Sequence, residues 1–172
     1  MAYTDIDNPE LYFNTKLYTG NGSTQSITGV GFKPDWVWLK NRSTATSHQV
    51  FDIVRGVQKR LYTDSTAGED TSANSLTSFD SDGFSLGSGS STNGSGNSIA
   101  SWNWLAGGSA SSNTDGSITS SVSANTTAGF SIVSYTGNGT AGATVGHGLG
   151  AVPSVMIFKN RIDTTNLSLI HI

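Results

Sequence analysis

Pro34-Asp35-Trp36-Val37-Trp38-Leu39-Lys40-Asn41-Arg42 opens on a proline, runs through four apolar residues and closes on a polar corner. Successive side chains of a strand point to opposite faces, so Trp36 and Trp38 share one face and Val37 and Leu39 the other. With both faces apolar, the stretch predicts a central strand covered on both sides. A second version follows at Pro153-Ser154-Val155-Met156-Ile157-Phe158-Lys159-Asn160-Arg161. The chain therefore reads as a duplicated unit.

Working outward, Tyr12 to Tyr18 alternates as a first strand, and Thr19-Gly20-Asn21-Gly22-Ser23 is a turn in which Asn-Gly supplies positive φ. Ser26 to Gly31 is a short bridge. His48 to Val54 predicts a strand, Arg55-Gly56 turns it and Val57 to Tyr62 returns. Thr63 to Asn74 is a polar loop long enough to suggest a function. Leu76 to Phe79 and Phe84 to Leu86 flank Asp80-Ser81-Asp82-Gly83, a hairpin turn. Gly87 to Ser98 lacks periodicity and reads as a long loop, and Ile99 to Leu105, with Trp102 and Trp104, as the last strand. No stretch carries a helical period with caps. Short strands between Gly, Asn and Ser turns predict an all-β fold, an antiparallel β-sandwich of jelly-roll or concanavalin type.

The unit boundaries follow. Residues 1–11 are expected as an N-terminal arm, 12–106 as the β-sandwich unit, 107–116 as a flexible Gly/Ser linker and 117–166 as an incomplete second unit. Phe13, Tyr18, Gly20, Asn21 and Gly22 match Phe130, Tyr135, Gly137, Asn138 and Gly139, and Pro34 and Lys40-Asn41-Arg42 match Pro153 and Lys159-Asn160-Arg161. No counterparts are expected for the strands from about Phe51 to Leu105. Leu167-Ser168-Leu169-Ile170-His171-Ile172 reads as the translation of a sequencing-transposon adapter, so the natural protein is expected to continue differently.

Composition narrows the functional classes. Only 12% of the 172 residues are charged and the net charge is −3, against about 25% charged in an average globular chain. That balance argues against a dedicated nucleic-acid partner. The absence of cysteine excludes disulfides and thiolate metal sites. No apolar run approaches the ~20 residues of a membrane helix, so no membrane insertion is expected. The N-terminus lacks the basic and apolar regions of a signal peptide. A polar, weakly charged surface without an export signal suits a virion protein made in a bacterial host's cytoplasm.

Several motifs carry candidate chemistry. Trp102 and Trp104 are candidate sugar-stacking residues, set against core packing, and have no second copy to compare. Trp36 and Trp38 become Val155 and Ile157 in the copy, which bury but cannot stack, so core packing is the stronger reading there. Lys40, Asn41 and Arg42 recur in both units and are candidate contacts to an anionic or carbohydrate ligand. The competing and stronger reading is a structural corner whose basic side chains pair with carboxylates such as Asp52. Asp80 and Asp82 are weak candidates for calcium, since the further ligands of a calcium loop are missing. Glu69-Asp70 reads as a solvated acidic pair, and Arg55, Lys59 and Arg60 as a basic cluster explained by strand pairing. Gly137-Asn138-Gly139-Thr140-Ala141-Gly142 has the spacing of a dinucleotide loop, but no helix follows it. Glu10 and Glu69 are the only glutamates, which leaves little for the paired carboxylates of glycoside hydrolysis. No cofactor is implied.

Together the Tyr-Thr-Gly-Asn-Gly turns at Tyr18 and Tyr135, Phe32 to Arg42, Phe51-Asp52 to Leu61-Tyr62, Thr77 to Phe84, and Asn93 to Asn97 leading to Trp102-Asn103-Trp104 resemble a repeat family of marine and environmental tailed-phage proteins. These are virion or tail-fibre-like proteins of unknown function. The resemblance implies a lectin-like, concanavalin-type sandwich and no established binding residues. The expected function is a non-enzymatic tail-fibre or appendage module with a host-recognition role. Ligand contacts are expected in the loops 63–75 and 87–98. The expected partners are other virion proteins, a host-surface glycan and further copies in a homo-oligomer. The alternatives are a carbohydrate-binding module of a bacterial surface protein and, last, a polysaccharide-degrading enzyme.

Overall fold

Alternation along Trp36–Asn41 sends Val37, Leu39 and Asn41 into the interior and leaves Trp36, Trp38 and Lys40 half-buried on the opposite face. A computed structural model describes residues 6–172 and places this strand, β3, in the middle of an all-β fold. The other strands are β1 (Phe13–Thr19), β2 (Gln25–Thr28), β4 (Gln49–Asp52), β5 (Lys59–Tyr62), β6 (Asp70–Thr71), β7 (Leu76–Asp80), β8 (Gly83–Leu86) and β9 (Ser98–Trp104). They are followed by β10 (Ser111–Asn113), β11 (Ser120–Asn125), β12 (Phe130–Tyr135), β13 (Val155–Phe158) and β14 (Ser168–His171).

Two sheets form the sandwich. One has the order β1-β9-β3-β4-β5-β6, the other β2-β8-β7, and each strand pairing in them is antiparallel. The core lies between them. Val37, Leu39 and Phe51 from the larger sheet meet Ile27, Leu76, Phe84 and Leu86 from the smaller, and Tyr18 and Phe79 pack at the margin. Each of the large side chains contributes about 1.5–3 kcal/mol by leaving water. Tyr18 donates its hydroxyl to the Thr92 carbonyl at 2.7 Å, and burial pushes its ionisation far above the usual phenol range.

The Asp-Gly signal forms the β7–β8 hairpin, with Asp80 opposite Gly83. Gly83 has φ 147°, and an added Cβ would overlap the Ile27 carbonyl oxygen of the neighbouring β2. Only glycine lets the two backbones approach there.

Three segments differ from expectation. Residues 1–5 of the expected arm lie outside the described residues. The rest is not an extended arm: Pro9–Leu11 form a 3-10 turn capped by the Asn8 side chain, with proline at a position that needs no N–H. Gly87 to Ser98 contains a single helical turn, α1 (Ser90–Asn93). Asn93 is fully buried, bonded to Ser23 O, Gly87 O and the Asn21 side chain, so this stretch plugs the end of the sandwich. One turn has no period to detect; tertiary hydrogen bonds hold it. Residues 107–116 are not a free tether. Asp35 accepts hydrogen bonds from the N–H groups of Ala106 and Gly108, Ser123 accepts from Gly107 N, and Ser111–Asn113 pair with β11.

The remaining sheets are β10-β11-β12 and β13-β14. Phe130 of β12 stacks on Trp36 at 5.3 Å between ring centroids and 10° between planes. That contact places the second half of the chain against the outer face of the larger sheet.

Candidate functional site

The outer face of the larger sheet gathers the four tryptophans. Register sets Trp36 opposite Trp104 and Trp38 opposite Trp102 across β3 and β9, with Phe13 and Thr15 of β1 opposite Trp104 and Trp102. Directly opposed cross-strand side chains are close enough to pack. Ring centroids lie 4.9 Å apart for Trp36–Trp104, 6.0 Å for Trp38–Trp102 and 4.7 Å for Phe13–Trp104. The tilted geometries suit the quadrupoles of the rings.

Phe130 divides this face. It stacks on both Trp36 and Trp104, closing that end. At the other end Trp38 and Trp102 stay half-buried, beside Leu17, which is 67% exposed. Trp38 Nε1–H donates to His48 Nδ1 at 3.1 Å, fixing both rings. Burial, then the Lys40 charge, lower the His48 pKa against the pull of Asp64, which favours the neutral ring this bond requires. The open end is thus an apolar strip with a polar rim of Thr15, Lys40 and His48.

The tryptophans correct the core assignment. Trp36 and Trp38 lie on the outer face and belong to one cluster with Trp102 and Trp104, while the core is carried by Val37 and Leu39. Aliphatic replacement in the copy did not mark buried positions.

The Lys-Asn-Arg corner resolves into separate roles. Asn41 is buried, and its side-chain oxygen accepts from Ser43 N and Thr44 N. Asn160 does the same for Ile162 N and Asp163 N, so the shared asparagine is a turn residue. Lys40 donates to the Thr46 carbonyl, and the Arg42 side chain is exposed. Neither pairs with Asp52. That carboxylate belongs to Arg55, whose side chain is 4% exposed and also reaches Glu69. Arg55 further donates to the carbonyls of Val50 and Lys59.

Glu69 and Asp70 are ion-paired rather than simply solvated. Glu69 takes Arg55 on one side and both Nε and Nη2 of Arg161 on the other; Asp70 takes Arg60 in a two-point fork. Lys159 donates to the Ser65 carbonyl. The 63–75 loop, expected to contact a ligand, therefore receives the second Lys-Asn-Arg corner. Partners 14 and 92 residues away in the chain leave no local signal.

Burial raises the Glu69 pKa, but hydrogen bonds from Arg161 and Arg55 outweigh it and hold the carboxyl below its ordinary value. A depressed folded-state pKa contributes stability above the unfolded value, and that contribution is lost as pH falls through the folded one. Wild type is therefore expected to be more stable than Glu69→Gln at neutral pH, with the difference closing below the usual carboxylate range. Urea midpoints across a pH series measure it.

Asp80 accepts from Ser78 and Ser85, and Asp82 from Gly29 N and Gly31 N, which hold its pKa down. The Asp80 lone pairs serve the hairpin itself, and those of Asp82 tie its turn to the 29–31 segment after β2. Among the described residues no group of three His, Cys, Asp or Glu is placed to hold a metal ion.

No curated protein and no solved structure matches the chain. A family model described as a domain of unknown function (DUF7483) matches residues 8–172, so the chain belongs to that family.

Proposed function

We propose that this protein is a non-enzymatic β-sandwich module of a tailed-phage appendage, and that the open end of its tryptophan face contacts a host-surface glycan. The observation that carries the site is the division made by Phe130. One tryptophan pair is already covered by an aromatic ring, and the neighbouring pair, Trp38 and Trp102, presents half-buried rings with Thr15, Lys40 and His48 around them. The C–H-rich face of a pyranose packs on a flat aromatic ring, while its hydroxyls take hydrogen bonds from such a rim. The motif resemblance supports the virion setting and partnership with other virion proteins. A bacterial surface module would use the same face.

A glycan array probed with the full chain tests the reading. Binding to host-surface glycans is expected, weakened about tenfold, or ~1.4 kcal/mol, by Trp102→Leu. Phe130→Leu, at the covered end, is expected to bind as wild type. Absence of binding to any host-surface glycan would return the module to a purely structural role.

A further inference from the structure

The β13–β14 hairpin repeats the β3–β4 hairpin pair for pair. Val155 opposes His171 and Phe158 opposes Ser168, as Trp36 opposes Asp52 and Leu39 opposes Gln49, with every number advanced by 119. Even the flanking hydrogen bond is reproduced: Ile172 N donates to Ser154 O at 2.9 Å, as Ile53 N donates to Asp35 O at 2.8 Å. Ser168–His171, expected to be adapter-derived, thus take the position of β4.

The surroundings are not repeated. In the first hairpin Leu39 and Phe51 are 1% and 0% exposed, whereas their counterparts Phe158 and Ile170 are 40% and 44% exposed. The other edge of β3 is paired with β9; among the described residues, β13 pairs only with β14. Alternate residues of an antiparallel strand turn their N–H and C=O to opposite edges. Arg42 N donates to Ser98 O, so Trp36, Trp38 and Lys40 share the edge that faces β9. Their counterparts on β13 are Val155 and Ile157, both exposed.

We propose that this edge of β13 is a docking site for an extended segment of β9 chemistry, added antiparallel as a further strand. Its occupant alternates aromatic residues with small or polar ones, like Ser98-Ile99-Ala100-Ser101-Trp102-Asn103-Trp104. In the first unit that pattern sets Trp102 and Trp104 against Trp38 and Trp36, and here it sets two aromatic rings against Ile157 and Val155. The β9 of a folded copy is held between β1 and β3 and is not free to be donated. The occupant is therefore a β9-type segment lying outside a folded first unit. Main-chain hydrogen bonds supply the affinity of such an addition, and alternate side chains its specificity.

The test adds a peptide of the sequence Asn97 to Leu105 to the isotope-labelled full chain and follows amide hydrogen exchange residue by residue. Exchange at Val155 and Ile157 is expected to slow with peptide. In β9, Ser98 O faces β3 while Leu105 N donates to Tyr12 O on the β1 side, so the even-numbered residues face β3. A peptide N-methylated at the Ala100 and Trp102 positions is expected to lose the protection. Exchange unchanged by peptide overturns the proposal. So does protection that grows with protein concentration alone, which would mean that two β13 edges pair with each other.

Discussion

Phe84→Ala is expected to lower the stability of the sandwich by about 3–5 kcal/mol, the range for removing a buried aromatic ring. Phe84 is completely buried on β8 and is one of the four residues by which the smaller sheet meets Val37, Leu39 and Phe51. Its ring stands edge-on to Tyr18, 6.3 Å between centroids. Alanine would leave a cavity facing both sheets, and paired strands on either side of β8 hinder collapse into it. Urea unfolding followed by tryptophan fluorescence measures the loss, since all four tryptophans lie between residues 36 and 104. The control is Phe158→Ala. Phe158 corresponds to the buried Leu39 but is 40% exposed, and its removal is expected to change stability by no more than about 0.5 kcal/mol. Equal losses from the two variants would mean that the core is misplaced.

Arg55→Met is expected to cost about 3–5 kcal/mol, the range for breaking a buried ion pair from one side. Arg55 bonds to Asp52 at 2.6 Å and to Glu69 at 3.0 Å, and these two carboxylates are only 8% and 11% exposed. Methionine keeps much of the apolar stem but strands the Asp52 charge, leaves Glu69 to Arg161 alone, and removes the donors to Val50 O and Lys59 O. Removing the stranded charge as well, in Arg55→Met with Asp52→Asn, is expected to recover part of the loss. The neutral amide at position 52 then leaves no uncompensated charge to bury. The same urea titration reads both variants. A single variant as stable as wild type would show that water, rather than Arg55, solvates these carboxylates.

How much of this was legible in the sequence depends on the range of the interaction. The Asp80–Gly83 hairpin and the Asn21-Gly22 turn were legible because a turn is decided by a few adjacent residues and their φ angles. The alternation of Trp36–Asn41 was legible as a strand, but not the identity of its inner face. With apolar residues on both sides, period 2 names two faces and ranks neither. The copy suggested burial for Trp36 and Trp38, because Val155 and Ile157 replace them. Those positions lie on the outer face, where the cover is Phe130 for one pair and, among the described residues, nothing comparable for the other. Gly107 to Gly116 has the composition of a flexible tether, yet Asp35 and Ser123 pin its start.

The sequence by itself determined an all-β chain of short strands, the turns between them and the correspondence of Phe13 to Arg42 with Phe130 to Arg161. Those features rest on side-chain period and local backbone preference, which act over a few residues. Only the tertiary structure decided that the four tryptophans form one outer cluster half closed by Phe130, and that Arg55 and Arg161 share Glu69. It alone showed that, among the described residues, β13 keeps an unpaired edge where β3 has β9. Each of these joins residues far apart in the chain, and such contacts are set by sheet order and packing, which no local pattern encodes.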